Sequence, residues 1–228
     1  MNLISICIPT YEMGGKGHIF LKQSLDILTG QSFKDFNVII SDHSKDNLVE
    51  GVCSEYGKKL RINYYKNNEK YGCSSANVNN AISKADGRLI KILFQDDLLF
   101  NADSLKQIAD NFDVNNDKWL LTGCIHSEDG INFFKPFFPK YNSLIHLGNN
   151  TISSPSVLTI KNDRPLFFDE KLIWLMDCDY YKRCFNEFGE PKILEEINVV
   201  NRIGPHQISN TLVKITTRIR EIFYEIIR

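Results

Sequence analysis

The chain has 228 residues, enough for one large domain with a sizeable core, and its 27 Lys and Arg nearly cancel its 28 Asp and Glu, so no net field marks it for nucleic acid. Its six cysteines, at positions 7, 53, 73, 124, 178 and 184, form no C-x-x-C pair and no zinc-knuckle or disulfide spacing, which fits a reducing cytoplasm. Pro9 interrupts the one apolar run near the N-terminus, and no run approaches the roughly 18–20 residues that span a bilayer, so neither a signal peptide nor a membrane span is expected.

Ile4 to Ile8 is an apolar run that predicts a buried strand stopped by Pro9, and Phe20, Leu21, Ser24, Leu25 and Leu28 then recur at helical spacing up to Gly30. Val38 to Ile40 predicts a second strand, Leu48, Val52 and Tyr56 a second helix, and Arg61 to Tyr65 a third strand. Val78, Ile82 and Ala85 mark a third helix, Asp86-Gly87 a turn, and Leu89 to Phe94 a buried strand running into Gln95-Asp96-Asp97. Beyond residue 100 the pattern loosens. A helix is expected on Leu105, Ile108, Ala109 and Phe112, then an aromatic stretch (Phe133, Phe134, Phe137, Phe138, Tyr141), then a strand around Val157 to Ile160, and acceptor binding is assigned to this region. Tyr181, Cys184, Phe185 and Phe188 form a helical stripe with Asp177 and Asp179 at its N-terminal end. Residues 211–228 predict an amphipathic helix bearing Ile215, Ile219, Ile222, Phe223 and Ile226; it closes over the back of the domain or, alternatively, makes peripheral membrane contact. The alternation builds an α/β fold with a mostly parallel sheet.

Such sheets bind ligands beyond the carboxyl ends of their strands, and three of those ends are polar here: Thr10 and Glu12, Ser41 and Asp42, Asp96 and Asp97. Adjacent carboxylates at a strand end suit Mg²⁺ or Mn²⁺, which take one or two protein oxygens and complete their shell with water and diphosphate. Asp-Asp also serves as an acidic turn or helix cap, and only its strand context favours the metal. Asp42 fits a nucleotide contact or an Asx-turn. Gly14, Gly15 and Gly17 match neither phosphate-binding glycine motif and predict a flexible loop from which Lys16 could touch phosphate. Asp177 fits a base that takes a hydroxyl proton, but spacing alone does not separate it from Asp179, since helix starts favour Asp for capping. His206, on a turn, is a possible metal or diphosphate contact.

In order, Ile4-Ser5-Ile6-Cys7-Ile8-Pro9-Thr10-Tyr11, Gln31-Ser32-Phe33, Val38-Ile39-Ile40-Ser41-Asp42-His43-Ser44, Gly72 through Asn77, Phe94-Gln95-Asp96-Asp97 and Trp174-Leu175-Met176-Asp177-Cys178-Asp179-Tyr180 resemble the motifs of the inverting, GT-A-fold glycosyltransferases of family 2 over roughly residues 3 to 210. The resemblance implies a Rossmann-like three-layer α/β/α sandwich. It implies donor contacts from Pro9, Thr10, Tyr11, Glu12, Asp42, Asn77, Gln95 and Asp96, with Asp42 at the base and Asp96 near the ribose. It places Asp97 on the metal, with Asp96 as the alternative ligand, and makes Asp177 the general base with Trp174 and Asp179 as acceptor or structural support. Three positions depart from the family pattern: Phe94-Gln95 replaces its first acidic position, Ala76 a frequent Arg, and Met176 a Glu.

The expected organisation is a single domain over 1–210, with a nucleotide-binding half at 1–98, an acceptor-binding half at 99–210, and the C-terminal helix at 211–228. The expected activity is metal-dependent, inverting transfer of a sugar from a UDP- or dTDP-sugar to a saccharide or glycan hydroxyl, with Mn²⁺ or Mg²⁺ as cofactor and no nucleic-acid partner. A sugar nucleotidyltransferase is the first alternative, but residues 9–18 do not spell its Gly-rich loop with Arg. A non-catalytic nucleotide-sugar binding module is the second.

Overall fold

In the computed structural model, which describes residues 2–205, 207 and 213–228, β1 (Ile4–Thr10), α1 (Gly17–Thr29), β2 (Phe36–Asp42), α2 (Leu48–Tyr56), β3 (Ile62–Lys66), α3 (Ser74–Ser83) and β4 (Leu89–Ile92) follow in chain order. β1 pairs in parallel with β2 on one side and β4 on the other, and β3 extends the sheet beyond β2. Contrary to the expected stop at Pro9, β1 runs on to Thr10. β4 pairs with it only as far as Cys7, so beyond that point β1 is an edge on one side, where proline is tolerated. β4 is shorter than its apolar run suggests, and Phe94 to Asp97 form a turn closed by Asp97 N–H donating to the Phe94 carbonyl at 3.0 Å. α3 ends at Ser83, leaving Ala85 in the turn that follows.

The second half adds β5 (Leu98–Leu99), α4 (Ser104–Asn111), β6 (Trp119–Ser127), β7 (Phe134–Phe137), β8 (Leu158–Lys161), α5 (Met176–Phe188), β9 (Lys192–Arg202) and α6 (Ile215–Ile227). Among the described residues nine strands join one sheet in the order β3-β2-β1-β4-β8-β6-β9-β5, with β7 paired to β6. β8 lies antiparallel between β4 and β6, β9 runs parallel to β6, and β5 runs antiparallel to β9. The periodicity did not foresee β6 or β9. Their register slips around Gly123, where exposed Glu195 and Glu196 break the apolar run of β9.

Helices cover both faces. Leu21, Leu25 and Leu28 of α1 pack with α2 and α4 against Ile4, Ile6, Ile8, Val38 and Ile40, each leucine contributing about 1.5–3 kcal/mol by burial. On the opposite face Val78 and Ile82 of α3 and Tyr180, Tyr181 and Cys184 of α5 pack against Cys7, Ile39, Ile90 and Ile92. This is the three-layer α/β/α sandwich, with a mostly parallel sheet.

At the bottom of the sheet Ser5 Oγ accepts from Gly87 N–H at 2.8 Å and donates to Asn37 Oδ1 at 2.8 Å. A Cβ at Gly87 would lie 2.6 Å from Ser5 N and 2.9 Å from Ile4 C, both backbone atoms of a central strand that cannot give way. We expect Gly87→Ala to cost about 2–3 kcal/mol in urea unfolding, as overpacking does. A change below ~0.5 kcal/mol would show that the strand yields.

α6 closes over the α5 side of the sandwich. Ile222 and Tyr224 pack against the core, and the buried Glu221 carboxylate accepts from the N–H groups of Ile173, Trp174 and Leu175 at 3.0, 2.9 and 2.9 Å. Its outer face leaves Ile215, Ile219, Phe223, Ile226 and Ile227 exposed. Among the described residues no helix is long and apolar enough to cross a membrane.

Candidate active site

Beyond the carboxyl ends of β1 and β4 the structure opens a cleft of about 870 Å³, a size suited to an organic ligand. One wall is built by hydrogen bonds between strand ends. Asn77 at the start of α3 donates from Nδ2 to the Thr10 carbonyl at 2.9 Å and accepts from Ser41 Oγ at 2.7 Å, clamping β1 to β2. Tyr11 N–H donates to Gln95 Oε1 at 3.0 Å, tying the end of β1 to the turn after β4. Pro9, Tyr11, Asn77, Gln95 and Asp96 thus all line the cleft, with Tyr71 and His43 on the same wall.

Three expected donor contacts lie elsewhere. Asp42 is fully buried behind the wall; its Oδ1 accepts from Thr10 Oγ1 at 3.0 Å and Ser44 N–H at 2.9 Å, and its Oδ2 from Tyr64 Oη at 2.8 Å and Lys66 Nζ at 3.3 Å. Thr10 is buried with it. Both hold the ends of β1, β2 and β3 together rather than facing the cleft. Glu12 stands at the rim, accepting from Lys45 N–H at 2.6 Å and Tyr71 Oη at 2.9 Å, and so latches three loops. Met13–Gly15 form a 3₁₀ turn, not an open loop, and Met13 and Gly14 line the cleft whereas Lys16 does not.

The acidic turn divides its two carboxylates. Asp97 is 4% exposed, and its oxygens accept from Arg202 N–H at 2.9 Å and Ser154 Oγ at 3.1 Å, while Asp96 is the more exposed of the pair. Burial first, and the adjacent Asp96 charge second, push the Asp97 carboxyl upward. Both carboxylates line the cleft, so Asp97, the expected metal ligand, and Asp96, its alternative, stand together at the site, Asp96 the more exposed. Behind the turn, Lys91 is buried in the sheet, its ammonium donating to the Ser156 carbonyl, and desolvation pushes its pKa down to about 7.

On the opposite wall Asp177 occupies the first turn of α5 and lines the same cleft. Its Oδ1 accepts from Cys178 N–H at 2.8 Å and its Oδ2 from Asn150 Nδ2 at 2.7 Å. Burial outweighs these bonds and raises its pKa to about 6. Asp179, two residues on, is turned inward: Arg183 grips it from one turn along α5 at 2.6 Å, and Arg228 of α6 reaches it at 3.1 Å. Trp174 lines the cleft beneath the Arg218 guanidinium, 5.1 Å from its ring centroid. Gly148, at φ +100°, supports Trp174, since a Cβ there would lie 2.5 Å from the indole. Of the aromatic stretch, Phe137 lines the cleft, Tyr141 stacks on Phe185 at 3.8 Å, and Phe133, Phe134 and Phe138 are exposed.

His206 lies outside the described residues. Among these no group of three or more His, Cys, Asp or Glu could hold a metal ion, and Asp96 and Asp97 make a two-carboxylate platform on the cleft. That platform fits a hard dication that draws its remaining ligands from water and a diphosphate. Sequence reasoning missed Asn150, Ser153, Ser154, Asn201 and Arg202, which all line the cleft. The first three stand in a Ser- and Asn-rich stretch that reads as an ordinary loop, and the last two on the unforeseen β9.

The fold is that of the GT-A glycosyltransferases. It superposes on Staphylococcus aureus TarS in complex with UDP-GlcNAc with a TM-score of 0.74 over all of this chain and 67% of that one, at 22% identity. It superposes on the mannosyltransferase PcManGT of Pyrobaculum calidifontis, in complex with GDP-Man and Mn²⁺, with a TM-score of 0.71 over all of this chain and 64% of that one, at 14% identity. The chain belongs to glycosyl transferase family 2, whose family model matches residues 5–158. It is 31% identical to an uncharacterized glycosyltransferase of Methanocaldococcus jannaschii over 88% of this chain and 71% of that protein, and 28% identical to one of Rickettsia typhi over 92% and 66%. A 26% match over 44% of the chain and 32% of the relative is to the GalNAc(5)-diNAcBac-PP-undecaprenol beta-1,3-glucosyltransferase of Campylobacter jejuni.

Proposed function

We propose that this chain transfers a sugar, with inversion, from a nucleoside-diphosphate donor of the UDP or dTDP class to a hydroxyl of a saccharide acceptor, with Asp177 as general base. The observation that carries this reading is the meeting of Asp96 and Asp177, 81 positions apart in sequence, on one cleft. The ligands of the structural neighbours, UDP-GlcNAc and GDP-Man with Mn²⁺, support the donor class and the metal.

Pro9, Tyr11, Asn77 and Gln95 form the donor wall, and Asp42, from behind it, fixes the strand ends that carry them. Asp96, backed by Asp97, would hold Mn²⁺ or Mg²⁺. When bound, such an ion neutralises charge on a leaving diphosphate. Asp177 takes the proton from the acceptor hydroxyl as its oxygen bonds to the anomeric carbon; the bond from that carbon to the diphosphate oxygen breaks, and its electron pair leaves with the nucleoside diphosphate. A pKa near 6 leaves the base ionised at neutral pH. Trp174 gives the acceptor side an apolar wall on which a sugar ring can rest.

The test is thermal shift against UDP-, dTDP- and GDP-sugars with and without Mn²⁺. Saturation at about 100 times Kd stabilises the folded state by about 2.7 kcal/mol, or roughly 5–10 °C for a chain of this size. The shift is expected with Mn²⁺ and a UDP- or dTDP-sugar, and to be lost in Asp96→Asn. Absence of any shift with every nucleotide would end the donor reading.

A further inference from the structure

The loop before β8 joins the two sides of the cleft, and no expected site residue lies on it. Asn150 is fixed in orientation: its Oδ1 accepts from Ile152 N–H at 3.0 Å and Ser153 N–H at 2.9 Å, which leaves Nδ2 to donate to Asp177 Oδ2 at 2.7 Å and the Ser153 carbonyl at 3.1 Å. Ser153 holds a positive φ of 96°, uncommon for a residue with a side chain, and is braced there by Tyr181 Oη on its carbonyl at 3.2 Å and Asn201 Nδ2 on its Oγ at 2.5 Å. The next residue, Ser154, places its Oγ 3.1 Å from both Asp97 Oδ2 and Asn201 Oδ1. An unbroken run of contacts thus links the acidic turn to the carboxylate on α5.

We infer that Asn150 is a positioning residue for the transfer reaction: it aims the Asp177 carboxylate and favours its ionised form, and the strained loop 150–156 sets that aim from the donor side of the cleft. The inference rests on Asp177 being the base. The amide donates one hydrogen bond to the carboxylate and cannot accept one, because its oxygen is committed to the turn. That bond is made only to an acceptor, so it opposes protonation of the oxygen it touches. The titratable neighbours that sense the Asp177 charge are the Cys178 thiol and the Tyr181 hydroxyl, both on α5 and both pushed upward by burial, so both neutral. Asp179 is engaged by Arg183 and Arg228. Among the described residues Asn150 is then the polar side chain bonded to Asp177 from outside its own helix.

Asn150→Asp separates this role from a structural one. It keeps the oxygen that holds Ile152 and Ser153 N–H, but replaces the donor facing Asp177 and the Ser153 carbonyl with a carboxylate oxygen. Two carboxylates in contact share a proton, so the acidic limb of the kcat profile is expected to move up by at least ~1 unit, with kcat at pH 7 down about tenfold and recovering at higher pH. Donor KM is expected to stay within about twofold, since the donor wall is untouched. Asn150→Ser, whose hydroxyl can hold the turn but is too short to reach Asp177, is expected to lower kcat with a smaller displacement of the limb. A folded Asn150→Asp enzyme with the wild-type limb and kcat would overturn the inference; if that variant fails to fold, wild-type kcat in Asn150→Ser would do so. Should Asp177→Asn retain full turnover, the base assignment itself fails; an inactive Asp177→Asn beside an unshifted Asn150→Asp removes this inference alone.

Discussion

Asp177→Asn is expected to lower turnover by about 10²–10⁴-fold, the usual contribution of a positioned general base, without unfolding the protein or weakening donor binding. The wild-type enzyme should lose activity as pH falls through about 6, because protonation there removes the base. The effect on stability has the opposite sign. A carboxyl whose folded pKa lies above its unfolded value of 3.8 burdens the folded state once it ionises, so this group's contribution grows more unfavourable as pH rises from about 4 to about 6 and stays so above. Two units correspond to about 3 kcal/mol, and partial exposure of Asp177 reduces that to roughly 2. Asparagine removes the burden but surrenders one of the bonds to Cys178 N–H or Asn150, worth about 1 kcal/mol. The melting temperature at pH 7 should therefore match or slightly exceed that of wild type. A variant that keeps its turnover, or one that melts far lower, would contradict the assignment.

Glu221→Ala carries the largest expected cost in stability, about 3–4 kcal/mol or ~10 °C in melting temperature. The carboxylate is 1% exposed and collects three backbone N–H groups that directly precede α5, where the partial positive charge of a helix start adds to its hold. Alanine would orphan all three donors and release α6 from the segment bearing Trp174 and Asp177. Turnover should fall with it. Glu221→Gln, which keeps one acceptor oxygen, should lie between the two. Unchanged melting in Glu221→Ala would show that α6 is held by its apolar contacts alone.

Strands built on an uninterrupted apolar run announce themselves, and β1, β2 and β4 were legible from Ile6 to Ile8, Val38 to Ile40 and Leu89-Ile90. β6 and β9 were not, because a glycine in one and two exposed glutamates in the other interrupt the period where their pairing bulges. The acidic turn could be named from a strand end and the pair Asp177 and Asp179 from a helix start, while only the family resemblance chose Asp177 between them. How Asp96 and Asp97 divide their work could not, since Ser154 and Arg202, 57 and 105 positions away, decide which carboxylate is covered. Asp42, read as a nucleotide contact or an Asx-turn, makes the Asx-type bond from Ser44 N–H, while Tyr64 and Lys66 from β3, which local spacing does not show, take up its other oxygen. The support role of Asp179 was half legible, because Arg183 sits one turn away in sequence while Arg228 reaches it only through the fold.

The placement of β8 between β4 and β6 bears on how enzymes of this kind can be recombined. A crossover near residue 98 would separate the donor-side strands from the strand they hydrogen-bond to, leaving each fragment with a raw sheet edge prone to wrong partners. Neither half of the sheet is therefore a cassette in this architecture, and a chimera must carry matching faces of β4 and β8 together.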